Sequence, residues 1–561
     1  MTWVALVGPE IEENLSLRYI ASSLSRVNVR AELVPFNFEG DFASALATIR
    51  DAAEPPLVVG ISLAFQWRAR DFLALAVALR EAGYTGHITV GGHFGTFAAQ
   101  DILTDFPEID SIIKQEAEET MVALVDAVEK GTALTPIAGL AYRDGESIVT
   151  TGHPSLPDLA TLPRPDRRGE PASCFGHGIA PLVSSRGCYA NCSFCCIAAW
   201  HEQSLPGKRY RIREVDDVAA EMVELQRTRN IDIFVFHDDN FFVPGHRQNR
   251  ERFAALADAL EKQAIGPFAT VVKARPTDCD PEVFSILKHR LKCIRIYIGI
   301  ETDADQGLRT LRRWSKSKQN HHAIDLVRSL DLYTCYNMLI FDPDTTIESL
   351  RTNVEFLRYA PEYPSNFGRV ELYAGTPLLA RMQAEGRVRG DYMQWDYDLG
   401  SPAVERIFSL SMECFMPRNF GNEALSNRIM GTRFDIEVAR HFHPEVFLAD
   451  WLAEGKELSR ILTLDGADAL AQIIDAVERG ASASEERALV LELSPKLRAT
   501  ERVVRDRCRD LATRLMNRID RGKPLTELGR VDGSAEGGTS QTHDVATPLQ
   551  TARANAIAVG H

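Results

Sequence analysis

Three cysteines fall within eight residues, Cys188, Cys192 and Cys195, at the spacing C-x3-C-x2-C. Thiolates hold iron–sulfur clusters, and a four-iron cubane has one iron more than three cysteines can ligate, so one corner stays open for another ligand. A zinc site would call for a fourth protein ligand at similar reach, and the second C-x2-C pair usual in such sites is not found. A cysteine-rich loop without metal is the bland alternative. Cys196 follows directly and reads as a small buried hydrophobe. Two further charged groups follow strand-like runs. Asp238 and Asp239 come after Asp232-Ile233-Phe234-Val235-Phe236, where adjacent carboxylates are awkward to bury unpaired and would face a cation or ordered donors, or else form a solvated acidic loop. Lys273 and Arg275 close another run and could meet a ligand carboxylate through charge-assisted bonds.

The cysteine spacing is the signature of the radical SAM enzymes, which this chain resembles. In that family the open iron is chelated by S-adenosylmethionine, and an electron from the reduced cluster splits the sulfonium to a 5′-deoxyadenosyl radical. The resemblance makes Cys188, Cys192 and Cys195 the ligands of a [4Fe-4S] cluster and Phe194 the aromatic against the adenine. It sets Asp238 and Asp239 of "HDDNFF" where the ammonium of S-adenosylmethionine is gripped, and Glu301 of "GIET" where a carboxylate reaches the ribose hydroxyls. Asp342-Pro343-Asp344-Thr345-Thr346 stands where relatives carry a glycine-rich turn. It keeps Thr345 or Thr346 to cap a helix.

Those side chains need a frame of parallel strands. Residues 178–385 repeat a strand–helix pattern that predicts strands at 180–184, 232–236, 270–275, 295–302, 333–341 and 369–378, a partial (β/α)6 barrel with its chemistry at the C-terminal rim. Residues 1–145 show the same rhythm, with strands at 3–7, 57–62 and 87–92 and a helix at 71–82, which predicts a doubly wound, Rossmann-like domain. Its ligand rim would carry Ser62, Leu63 and Phe65, then Gly91, Gly92 and His93. The order "GIS", "GGH", "IIKQEAEET", which includes Glu116, resembles the cobalamin-binding domain that precedes many radical SAM barrels. The D-x-H-x-x-G motif of other cobalamin proteins is missing, so no protein histidine would sit beneath the cobalt. Gln66 and Arg68 are candidates for lying under the ring, with solvated residues at a helix start as the bland reading.

Residues 146–177, rich in proline and aspartate, read as a linker. Residues 386–525 read as a helical domain, with helices at 405–414, 422–429, 434–441, 447–461, 467–479 and 484–493 and a separate one from Ser494-Pro495 to about Arg521. The aromatic stretch 391–397 would line the substrate mouth, and residues 526–561 read as a disordered tail. The 561 residues exceed one core, and 45% hydrophobic with 25% charged is ordinary globular composition. A net charge of -15 argues against a nucleic-acid or anionic-membrane surface. Ten thinly spread cysteines and a start without a basic-then-apolar pattern predict a cytoplasmic protein with reduced thiols.

The combined resemblance, to the cobalamin-dependent (class B) radical SAM methyltransferases, implies methyl transfer from methylcobalamin to a carbon of a small-molecule or peptide intermediate. It also implies an external electron donor of flavodoxin or ferredoxin type. The alternatives are a cyclase or rearrangement enzyme on the same cofactors, a non-radical aromatic C-methyltransferase, and a non-catalytic corrinoid carrier or sensor.

Overall fold

The computed structural model describes residues 2–203, 209–420 and 424–522; the expected tail lies outside them. Near-continuous apolar runs such as Trp3–Gly8, buried along their whole length, form strands covered on both faces. The first sheet holds β1 (Trp3–Gly8), β2 (Arg30–Pro35), β3 (Val58–Ser62), β4 (His87–Gly91), β5 (Ser111–Ile113), β6 (Leu140–Asp144) and β7 (Ser147–Thr150). Its order is β2-β1-β3-β4-β5-β6-β7, the first five parallel and the last two an antiparallel hairpin. Helices α1 (Leu15–Arg26) and α6 (Glu118–Lys130) cover one face. The other is covered by α2 (Phe42–Arg50), α3 (Ala69–Glu81), α4 (His93–Phe97) and α5 (Ala99–Asp105). A 2-1-3-4-5 order reverses between β1 and β3, so the crevice beyond those strand ends is the natural ligand position.

The second sheet holds β8 (Ala172–Cys174) and β9 (His177–Leu182), then β12 (Ile231–Phe236), β13 (Ala269–Ala274), β14 (Cys293–Ile298), β15 (Tyr333–Phe341) and β16 (Ser365–Arg369). Between them in the chain come the short pair β10 (Ser185–Arg186) and β11 (Arg211–Ile212). The order is β16-β15-β14-β13-β12-β9-β8, six parallel strands with β8 antiparallel at the edge, an open half-barrel. Helices α7 (Cys196–Gln203), α8 (Val215–Arg229), α9 (His246–Lys262), α10 (Pro281–His289), α11 (Asp305–Thr310), α12 (Ser317–Ser329), α13 (Ile347–Tyr359) and α14 (Pro377–Ala384) follow its strands. The hairpin β17 (Val388–Asp391) and β18 (Gln394–Tyr397) leads to α15 (Pro402–Asn419), α16 (Leu425–Phe442), α17 (Ala449–Glu478) and α18 (Ala483–Gly522).

Helix α16 enters the concave side of the half-barrel. Met430, Phe434 and Val438 pack on Ile233, Val235, Val271 and Tyr333, and the Arg295 guanidinium lies 5.1 Å over the Phe434 ring. The C-terminal helices therefore close the barrel from beneath and leave its C-terminal rim for the site. No helix among the described residues is long and apolar enough to cross a membrane.

Several expectations are corrected here. The sixth strand is Ser365–Arg369, not 369–378: Thr376 caps α14 at Leu379 N, with Pro377 at its first position, and Gly375 turns the chain at φ +74°. The fourth strand ends at Ile298, before Glu301, whose φ is +62°. Helices expected at 422–429 and 434–441 are one, as are those at 447–461 and 467–479, because burial along α16 and α17 carries the helix through Gly431 and Gly466. Pro495 lies inside α18 and does not start a helix. Leu491, one turn earlier, is 63% exposed, so the carbonyl that loses its partner faces water. In the hairpin 388–397 Tyr392 is tied to the first domain, donating to Asp105 at 2.8 Å with its ring stacked on Phe94, while Tyr397 is buried in the barrel core and donates to the Val370 carbonyl at 2.6 Å.

Candidate functional site

The cysteine loop leaves β10 and returns through β11, an antiparallel pair that pins both its ends. Gly187 turns it at φ +86°, and a Cβ there would stand 1.9 Å from the Arg209 carbonyl oxygen. Arg209 donates to the carbonyls of Cys188, at 3.0 Å, and Ala190. The Tyr189 hydroxyl bonds Asp278 at 2.5 Å, and Ser193 is held by the carbonyls of Leu311 and Thr310. The three thiols thus rest on a braced backbone.

Each thiol meets either a donor or its fellow cysteines. The Ala190 amide points at Cys188 Sγ at 3.4 Å, Asn240 Nδ2 lies 3.6 Å from it, and Arg313 Nη1 lies 3.4 Å from Cys192 Sγ. Burial pushes the Cys188 thiol up, and it raises Cys195 well above its ordinary value, with Cys196, Cys192 and Cys188 adding to the shift. Such thiols stay protonated until a metal takes the proton's place. Among the described residues no three His, Cys, Asp or Glu side chains close on a single metal ion. The chemistry of the donor set, three thiols on one loop of which Cys195 feels the charge of the other two, with N–H groups aimed at Cys188 and Cys192, suits the negative charge of a polynuclear thiolate cluster. Cys196, its thiol raised to about 11 by burial and by Asp239, stands beside the loop.

The two aspartates part company. Asp238 is 1% exposed and accepts from Ser184 N, Ser184 Oγ and Ser185 Oγ; burial raises its carboxyl even so. That set of bonds ties β12 to β9. Asp239 keeps 27% of its side chain accessible. Burial works against its charge, but the hydrogen bond from His201 Nε2 at 3.2 Å and the Gly187 amide at 2.9 Å hold it at about 2. His201 itself is 2% exposed.

Lys273 stands on β13, and burial lowers its ammonium against the pull of Asp239, Glu12 and Asp238. Arg275 is engaged elsewhere: it donates to the Arg313 carbonyl at 2.5 Å and lies 5.8 Å over the Tyr189 ring. Glu301 is 1% exposed and 3.8 Å from Arg313 Nη1. Burial opposes the charge of Arg313, and Cys192 and Glu301 sustain it. Phe194 is buried in the core behind the loop. Beyond β16, Glu371 accepts from the Tyr373 hydroxyl at 2.6 Å, near Cys195 and Cys196. Sequence reasoning missed Arg313, His201 and Tyr373. Arg313 alone left a trace, in the cluster Arg312-Arg313-Trp314 after the "GIET" strand.

The rim of the first sheet turns toward this loop. Ser62 and Gly91 are paired at the ends of β3 and β4, and Gly92, at φ +96°, sits so close to Leu63 that a Cβ would be 2.8 Å from its carbonyl carbon. Leu63 is buried against its own sheet, and Phe65 is half-buried beside Trp67. His93 begins α4 with its ring 4.8 Å from Trp200; burial brings it down to about 4, with Asp239 pulling the other way. Trp200 Nε1 donates to Thr96 at 3.1 Å. Glu116 is consumed by ion pairs with Arg186, at 2.7 Å, and Arg211, so it joins the sheet to the loop's stem and is not a free rim residue. Gln66 and Arg68 are buried, not solvated. Gln66 bonds Leu372 O and Ala374 N, and Arg68 bonds the carbonyls of Phe36 and Asn37. Rim and loop stand close enough for the Asp239 carboxylate to act on both His93 of the rim and Lys273 of the half-barrel. A corrinoid on the rim and an adenosyl ligand at the cysteines would thus lie side by side.

Comparison with known proteins agrees. Residues 2–125 match the B12 binding domain and residues 182–357 match the radical SAM superfamily. An uncharacterized methyltransferase of Pyrococcus horikoshii, PH0819, is 24% identical over 67% of this chain and 78% of its own length. The anaerobic magnesium-protoporphyrin IX monomethyl ester cyclase of Synechocystis is 25% identical over 58% of this chain and 63% of its own. The hopanoid C-3 methylase of Methylococcus capsulatus is 27% identical over 62% and 65%. The chain thus spans a little under two thirds of the length of the last two. Among solved structures, the cobalamin-dependent S-adenosylmethionine radical enzyme OxsB, with aqua-cobalamin and S-adenosylmethionine bound, superposes with a TM-score of 0.64 at 17% identity, covering 93% of this chain and 83% of that one. With a B12-binding module and a radical SAM module spanning more than half of its residues, the chain belongs to the cobalamin-dependent radical SAM enzymes.

Proposed function

We propose that the protein transfers a methyl group to a carbon of a small-molecule or peptide intermediate. When bound, the cluster with S-adenosylmethionine supplies radical initiation and the corrinoid supplies the methyl group. The observation that carries this reading is the contact between the two modules beside the cysteine loop. At the rim of the cobalamin module the His93 ring lies 4.8 Å from Trp200 of α7, whose Nε1 donates to Thr96 at 3.1 Å, so methyl donor and radical source would be held next to one substrate.

In this reading Cys188, Cys192 and Cys195 hold the cluster. Asp239, kept ionised by His201, binds the ammonium of S-adenosylmethionine, and Glu301 reaches its ribose. Arg313 faces the carboxylate together with Lys273, since Arg275 is bonded to the loop. Ser62, Gly91 and Gly92 let the corrin approach backbone closely. Asp238, fully bonded, shapes the turn without touching ligand. The reaction takes place in the cytoplasm, with the electron drawn from a flavodoxin- or ferredoxin-type carrier.

The test is anaerobic reconstitution with iron, sulfide and hydroxocobalamin, followed by S-adenosylmethionine and reductant. 5′-Deoxyadenosine together with S-adenosylhomocysteine supports radical methyl transfer. Deoxyadenosine alone points to cyclisation or rearrangement, and neither product points to a carrier.

A further inference from the structure

The segment that touches the cluster loop from within also carries an unusual outer surface. Arg309, Arg312, Lys316 and Lys318 are all exposed, and among the described residues none has an ion-pair partner, in a chain whose net charge is -15. By contrast Arg389, also exposed, is paired with two carboxylates. In the middle of the four cations stands Trp314, 73% exposed. Its backbone is left-handed at φ +57°, as is that of Arg312 at +49°, a conformation that bulky side chains rarely adopt. The indole is nevertheless fixed, because Nε1 donates to Asn191 Oδ1 at 2.6 Å, between Cys188 and Cys192. The intervening residue, Arg313, reaches Cys192 Sγ at 3.4 Å, and the Leu311 carbonyl accepts from Ser193 N. A flat aromatic ring, flanked along the chain by unpaired cations, is therefore displayed one residue away from a group that touches a cysteine thiol.

We propose that this surface docks an acidic flavin-carrying one-electron donor protein. The inference rests on the radical SAM reading above, because a cluster that cleaves a sulfonium must be refilled with one electron per turnover. The donor flavin hydroquinone gives up one electron and one proton, becoming the neutral semiquinone. The cluster gains the electron, the proton passes to solvent, and no bond to the protein forms or breaks. Charge complementarity selects an acidic partner, since an acidic carrier is repelled by the chain's overall charge and attracted at this patch. The exposed indole selects a flavin, whose planar ring edge it can meet, over an iron–sulfur carrier, which offers no ring.

The test uses the full-length reconstituted protein and the triple variant R309E/R312E/K318E, whose side chains have no bonds to the loop. Reduction of the cluster by flavodoxin hydroquinone, followed by stopped flow at low salt, is expected to slow about tenfold or more in the variant. The wild-type rate should fall with added salt, and the variant's should respond little. Oxidised flavodoxin should bind the cluster-free wild-type protein, as read by flavin fluorescence, and bind the variant correspondingly more weakly. Dithionite, which needs no docking, should reduce both proteins alike. Equal flavodoxin rates and affinities in the two proteins overturn the proposal, and so does sensitivity shown by a ferredoxin but not by flavodoxin. A wild-type protein that gives no reducible cluster with dithionite overturns the enzyme reading instead, while the binding measurement still judges the surface.

Discussion

Removing the Arg313 charge should make the cluster harder to reduce. Its Nη1 lies 3.4 Å from Cys192 Sγ. At an effective dielectric of about 20, a unit charge at that separation is worth about 5 kcal/mol. An added electron spread over the cluster sits a few ångströms farther off, which brings the figure to roughly 2 to 5 kcal/mol. For a one-electron couple this is roughly 100 to 200 mV. Arg313→Gln should therefore move the midpoint to a more negative potential by that amount. Glu301, 3.8 Å away and 1% exposed, loses its cation and pushes in the same direction. Arg313→Lys keeps the charge and should stay within a few tens of millivolts of wild type. The assay is an anaerobic redox titration of the reconstituted protein, with the reduced cluster followed by electron paramagnetic resonance. A glutamine variant that loads iron normally and keeps its midpoint within about 30 mV would refute the reasoning, since that is far below what a charge in contact requires.

Other outcomes follow from the loop and the rim. Substituting Cys188, Cys192 or Cys195 by alanine should abolish iron retention and the brown chromophore, whereas Cys196→Ala should keep both; iron analysis after reconstitution decides. Gly187→Ala should lose the cluster without touching a ligand, because its Cβ would meet the Arg209 carbonyl and φ +86° disfavours a side chain, so iron content again reads the result. His93, brought down to about 4 from 6.5, stays neutral in the folded protein while the unfolded chain takes up a proton. Stability should therefore be fully present above pH 6.5 and decline as pH falls toward 4. Melting temperature against pH should show that decline in wild type and a shallower one in His93→Gln. Asp239, lowered to about 2, adds its own loss only below about pH 3.8, so the two windows separate.

Local chemistry was legible in the chain itself. The thiol spacing is a property of eight consecutive residues, and the strand–helix rhythm shows in apolar runs that any window can count. Thr346 caps α13 by bonding Ser349 N, as its place after the fifth strand suggested. Helix breaks were misread for the opposite reason: Gly431, Gly466 and Pro495 lower local helix propensity, but burial of long apolar faces across α16, α17 and α18 outweighs it.

The sequence by itself determined that three thiols stand at cluster-binding spacing, that the strands run in parallel sheets, and that two α/β modules stand in series. Only the tertiary structure decided which charges are available to a ligand. Asp238 and Asp239 are identical side chains in adjacent positions, and the donors Ser184, between β9 and β10, and Ser185, on β10, engage the first while the second keeps 27% of its side chain accessible. Glu116 and Arg186 are 70 residues apart in the chain and 2.7 Å apart in space. Availability depends on what fills the space around a group, and that is settled by residues distant in the chain.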